Sequence, residues 1–191
     1  MPYRKCEFRA GECYHLYNRG HNYGDIFFER ENQLYFLRLV GRYLIPGVLD
    51  VVAYCLMPNH YHLLVRLRAD DLSPAMQRLG LAYTKAVNKR YERAGALFQG
   101  PFQAVHVDRD EYLLHLSRYI HLNPVIAELV GQPEDWEFSS YREYLGLRPG
   151  RLPKPELVLA QLGSVDAYRE FVESYVNGDE QPVSGLVLEA I

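Results

Sequence analysis

At 191 residues, 48% of them apolar, the chain is long enough to bury one proper core and carry an appendage. No run nears the length of a membrane span, no apolar signal core opens the chain, and three cysteines (Cys6, Cys13, Cys55) show no metal-type spacing, so a reduced, cytoplasmic protein is expected. The net charge of −3 argues weakly against nucleic acid but hides an asymmetry: residues 1–130 carry 16 Lys and Arg against 13 Asp and Glu, whereas residues 131–191 carry 5 against 11.

Glu12 to Arg19, with Tyr14 and Leu16, reads as a first strand that Arg19-Gly20-His21-Asn22 breaks. A basic residue beside Gly at a strand end suits a phosphate contact or a plain turn. Glu31 to Leu44 has Leu34, Leu37, Val40 and Leu44 at helical spacing and stops at Pro46-Gly47. Two apolar segments then flank Pro58-Asn59, which predicts two strands around a tight turn. Side chains alternate along a strand, so His60, His62, Leu64 and Arg66 share one face. Tyr61, Leu63, Val65 and Leu67 share the other, the natural core face.

Ser73-Pro74 opens a helix expected to run to about Arg93, with Met76, Leu79, Tyr83 and Val87 as its apolar stripe. Arg78, Lys85, Lys89 and Arg93 form a basic stripe opposed only by Glu92, a surface suited to phosphates. In the loop from Gly95 to Phe102, Phe98 and Phe102 either stack on bases or pack beneath the loop. Ala104 to Val107 reads as a short strand. Asp108 to Asp110 start a helix with acidic residues where the dipole prefers them, and Pro124 is expected to stop it. His115, Tyr119 and Asn123 recur every fourth residue and share one helix face.

The order strand, helix, strand, strand, helix, strand predicts a ferredoxin-like (split βαβ) α+β fold, a four-stranded antiparallel sheet with helices on one face. The later helix is then free to cover the other face and bring Tyr119 and Asn123 toward His60 and His62. From residue 131 onward, Trp136 to Leu145 suggests a short helix, Pro149 to Pro155 a linker and Val165 to Val176 a helix; the last dozen residues are expected to be poorly ordered. The expected division is a catalytic domain over residues 1–146 and an acidic, partly helical extension over 147–191.

Two imidazoles at i and i+2 on a strand can chelate one ion, and an added amide oxygen still leaves coordination positions open. Such an ion can grip a phosphate oxygen, and a nearby Tyr hydroxyl can attack the phosphorus and form a covalent phosphotyrosine link. Of sixteen Tyr, Tyr119 is favoured because Asn123 follows it one turn later; Tyr112 is the runner-up. There is no carboxylate cluster of the two-metal type, no Ser-His-Asp set and no thiol site.

Four segments, AYCLMPNHYHLLV (Ala53 to Val65), LFQGPFQA (Leu97 to Ala104), YLLHLSRYIHLNPV (Tyr112 to Val125) and SSYREYLG (Ser139 to Gly146), resemble the HUH single-tyrosine transposases, most closely the REP-associated tyrosine transposases. The resemblance runs from about Tyr14 to Gly146. It implies cleavage and rejoining of single-stranded DNA beside hairpins, with Mg²⁺ or Mn²⁺. It places the nucleophile on Tyr119, the HUH ligands on His60 and His62 and the third ligand on Asn123. Repeated extragenic palindromes are the implied DNA partner, held by Arg19, Arg78, Lys85, Lys89 and Arg93, with the protein a monomer or homodimer. The sequence departs from the family at Pro101, Gln103 and Ile126, where relatives tend to be basic. The alternative is a non-catalytic single-strand-binding or regulatory protein derived from a transposase.

Overall fold

Four strands build the sheet: β1 (Cys13–Arg19), β2 (Leu49–Met57), β3 (His60–Leu67) and β4 (Gln103–Val107). Their order is β2-β3-β1-β4, with every neighbouring pair antiparallel. This is the expected split βαβ arrangement. The computed structural model describes residues 6–45 and 47–175, and the poor order expected for the last dozen residues lies outside them.

Helices α1 (Arg30–Tyr43) and α2 (Leu72–Arg90) cover one face of the sheet. Phe36, Leu39 and Val40 from α1 and Met76, Leu79, Tyr83 and Val87 from α2 pack on Tyr14 and Leu16 of β1 and on Tyr61, Leu63 and Val65 of β3. Each such side chain contributes about 1.5–3 kcal/mol by leaving water. The buried Tyr83 hydroxyl is satisfied by donating to the Ile26 carbonyl at 2.7 Å. Phe98 and Phe102 belong to this layer too, so packing beneath the loop is what they do. Helix α2 ends three residues earlier than expected. Glu92 has a left-handed backbone (φ 51°), so Arg93 leaves the helical path.

Helix α3 (Asp110–Ile126) lies across the opposite face. Its Leu113, Leu116 and Ile120 bury against Val52, Ala53, Cys55 and Met57 of β2 and Leu64 of β3. A register shift between Val51 and Ala53 allows this, because the extra residue turns Val52, Ala53, Cys55 and Met57 toward α3 while Val51, Tyr54 and Leu56 face α1 and α2. Pro124 does not stop α3 as expected. It sits inside the last turn, where its missing N–H forfeits one bond, and the helix closes through Ala127 N–H to the Asn123 carbonyl at 3.0 Å.

Beyond α3 come α4 (Tyr141–Tyr144), α5 (Glu156–Leu162) and α6 (Val165–Glu173). Phe138 and Ser140 backbone groups bond Leu56 and Tyr54, and Lys154 N–H bonds the Val51 carbonyl, so the outer edge of β2 is sheathed. Val158, Tyr168 and Val172 are fully buried on the α3 side. Buried His121 of α3 bonds the Tyr168 hydroxyl and the Ser140 hydroxyl, both at 2.7 Å, and this fixes the back of α3.

Candidate active site

Strand pairing assembles one wall of the site. Across β1 and β3, Arg19 stands opposite His60 and Tyr17 opposite His62. All four lie on the α3 side of the sheet, as does His15 two residues before Tyr17. His62 is fully buried and stacks on His15 (ring centroids 5.1 Å apart), while His60 meets His62 edge-on at 4.9 Å.

Helix α3 supplies the other wall. Tyr119 and Asn123 are one turn apart and point to the same side. The Tyr119 ring meets the His62 ring edge-on at 5.5 Å and 80°, and Asn123 Oδ1 lies 3.1 Å from His60 Nε2. Tyr119, His60, His62 and Asn123, the four residues singled out for chemistry, therefore converge. Tyr112 does not join them; it lies under the Arg109 guanidinium, 5.1 Å from ring centre to charge. His115 turns instead to Phe171 of α6.

One hydrogen bond fixes which nitrogen of His60 carries the proton. The Asn59 amide N–H₂ donates to the Tyr23 carbonyl at 3.3 Å, so its oxygen is the atom that faces His60 Nδ1 at 2.7 Å. His60 Nδ1 must then carry the proton, which leaves a lone pair on Nε2 facing the Asn123 oxygen. His62 Nδ1 is 2.9 Å from His15 Nε2, and His62 Nε2 is buried with no hydrogen-bond partner among the described residues. An orphaned buried nitrogen and two lone-pair atoms 3.1 Å apart are costly as they stand, and a divalent cation would satisfy all three. Among the described residues no three His, Cys, Asp or Glu side chains form a metal cluster. The third donor here is an amide oxygen, and two neutral imidazoles with one amide oxygen are a donor set that could hold a divalent cation.

Burial drives the electrostatics. It lowers the pKa of His60, opposed by the hydrogen bond that the protonated ring would donate to Asn123 and aided by the nearby Arg19 charge. Burial also holds His62 well below the usual imidazole value, with His60 and His15 adding to the effect. Both rings are kept neutral and able to ligate. Burial raises the Tyr119 phenol above its usual pKa, and a side-chain hydrogen bond to Asn123 works the other way.

Residues 14–123 match the model of the family described as Transposase IS200 like. The chain belongs to that family. It is 28% identical over 106 residues to a Haemophilus influenzae protein named for the REP-associated tyrosine transposases, an alignment that takes in 48% of this chain and spans 58% of that relative. In architecture it is similar to a solved REP-associated tyrosine transposase bound to a REP hairpin, at 18% identity and a TM-score of 0.65, covering 81% of this chain and 94% of the other. That likeness bears out the fold.

This IS200-like chain brings only one of its five expected DNA contacts to the site. Arg19 stands beside His60, bonds the Gln99 side chain and caps the Tyr23 ring at 4.3 Å. Arg78, Lys85 and Lys89 are exposed on α2, with the sheet between that helix and α3. Arg93 lies past the helix end, over the Phe28 ring at 5.2 Å. Sequence reasoning missed His15, Tyr17 and Asn59 as parts of the site. The signal for the first two was the alternation His15-Tyr17-Arg19, which pairing with β3 places on the face of His62 and His60. Among the described residues no helix is long and apolar enough to cross a membrane.

Proposed function

We propose that this IS200-like chain cuts and rejoins single-stranded DNA next to hairpins, with Tyr119 as the nucleophile. The observation that carries the reading is the placement of a phenol on the helix turn before Asn123, edge-on to His62, where Asn123 in turn meets His60. Tyr119 Oη attacks the scissile phosphorus, a new P–O bond forms to the tyrosine and the bond to the leaving sugar oxygen breaks. The phenol proton passes to solvent, and the leaving oxygen takes up a proton in its turn. The phosphotyrosine link conserves the bond energy, so a strand hydroxyl can reverse the step and join a new end.

His60, His62 and Asn123 are the residues that would hold Mg²⁺ or Mn²⁺, which when bound draws charge off a phosphate oxygen. Asn123 also touches the nucleophile, so one amide orients both halves of the site. Arg19 supplies positive charge beside His60 for the strand backbone. The hairpin partner is supported by the REP hairpin bound to the structurally similar transposase. The test is a denaturing gel of protein incubated with labelled hairpin DNA and Mn²⁺. A covalent band supports the reading, and native-gel binding without one makes the chain a binding module.

A further inference from the structure

Tyr23 is the least expected residue near the site. The residue is 51% exposed, and its backbone, with that of Asn22, is left-handed (φ 60° and 52°). Two consecutive non-glycine residues in that region persist only where their surroundings hold them. Here the surroundings do. Gly20 lets the loop fold tightly, since a Cβ there would lie 1.8 Å from the Gly24 carbonyl oxygen. Gly20 N–H bonds the Asn59 carbonyl at 2.8 Å, and Gly24 N–H bonds the His21 carbonyl at 3.1 Å.

The loop is wired to the site through one side chain. Asn59 donates to the Tyr23 carbonyl with its amide nitrogen and holds His60 Nδ1 with its oxygen. Arg19, opposite His60 in the sheet, lies over the Tyr23 ring at 4.3 Å. The strained loop thus presents an exposed ring, backed by a cation, at a fixed place beside His60.

We propose that Tyr23 and Arg19 form a stacking subsite for an unpaired base of the DNA strand that flanks the scissile phosphate. The subsite rests on the strand-transfer reading and deepens it. The free face of the Tyr23 ring takes the base, and the guanidinium on its other side stands near the backbone phosphates. Every base has a π-face, so the contact secures the strand without dictating sequence.

The test uses the full chain, a hairpin with single-stranded flanks, and 2-aminopurine placed in turn at each flanking position. Binding by the wild type is expected to quench the probe at one position. Tyr23→Leu is expected to abolish that quench and to weaken binding about 10-fold, while Tyr23→Phe keeps affinity within about twofold. Because the ring is exposed, both variants should melt with the wild type, and melting curves check that each is folded. Wild-type affinity and quench in Tyr23→Leu, alongside a normal covalent product, would overturn the subsite and leave strand transfer standing. Neither binding nor covalent product in the wild type would overturn both.

Discussion

His15 Nε2 meets His62 Nδ1 at 2.9 Å inside the sheet, where neither ring is exposed. The contact turns His62 Nε2 toward α3 and, with Nδ1 as donor, leaves a lone pair there. A partner of this kind orients a metal ligand, and losing it typically costs 10–100-fold in metal affinity. His15→Leu should therefore weaken Mn²⁺ binding, followed by electron paramagnetic resonance, by about that factor. His15→Gln, whose side-chain oxygen can accept from His62, should recover most of it. Equal affinity in all three proteins would remove His15 from the site.

His121 makes the back of α3 a stability element. It is fully buried, bonds Tyr168 and Ser140, and burial pulls its pKa down to about 3. The unfolded chain binds that proton near the ordinary value of about 6.5, so stability is complete above that pH and falls as pH drops from 6.5 toward 3. His121→Ala should cost about 2–4 kcal/mol through the cavity and the two abandoned hydroxyls. It should also flatten the acid-side slope in a melting series against pH. A slope as steep as the wild type's would assign the acid sensitivity elsewhere.

Arg19 and the α2 cations should separate in a salt titration. Arg19 stands at the site, whereas Arg78, Lys85 and Lys89 face solvent on the other side of the sheet. For a short single-stranded oligonucleotide, Arg19→Gln should reduce the slope of log affinity against log salt by about 0.7, the loss of one phosphate contact. Replacing Arg78, Lys85 and Lys89 together by Gln should leave that slope unchanged. The reverse pattern would move the strand to the helical layer.

Truncation after Gly146 should destabilise the fold. Residues 147–175 contribute Val158, Tyr168 and Val172, all fully buried on the α3 side. Their removal exposes that surface and strips the Tyr168 hydroxyl from His121 and Ser117. The shortened chain should show a markedly lower melting temperature and lose covalent-complex formation. A truncated chain that melts like the full one would make the tail a true appendage.

The fold was readable because its signals are local. Period-two runs around Pro58-Asn59 and period-3.6 runs in α1, α2 and α3 fix element type, and the HUH spacing and the Tyr119–Asn123 spacing are each contained in one element. What could not be read depends on pairing between distant segments. His15 and Tyr17 join the site only through the register of β1 on β3, more than 40 residues away in sequence. The irregularity at Val52 and the left-handed backbone at Tyr23 and Glu92 carry no distinctive residue type, so the early end of α2 and the path of the loop after the break at Gly20 were not legible. Pro124 misled for a related reason. A proline in the last turn costs one bond, and the packing of α3 outweighs it.

The most direct test of the account is a denaturing gel of protein incubated with labelled hairpin DNA and Mn²⁺, run beside Tyr119→Phe. The phenylalanine keeps the ring against His62 and removes only the attacking oxygen. A covalent protein–DNA band is expected in the wild type and none in Tyr119→Phe, with equal DNA binding by both on a native gel. A covalent band of equal strength in Tyr119→Phe would contradict the account.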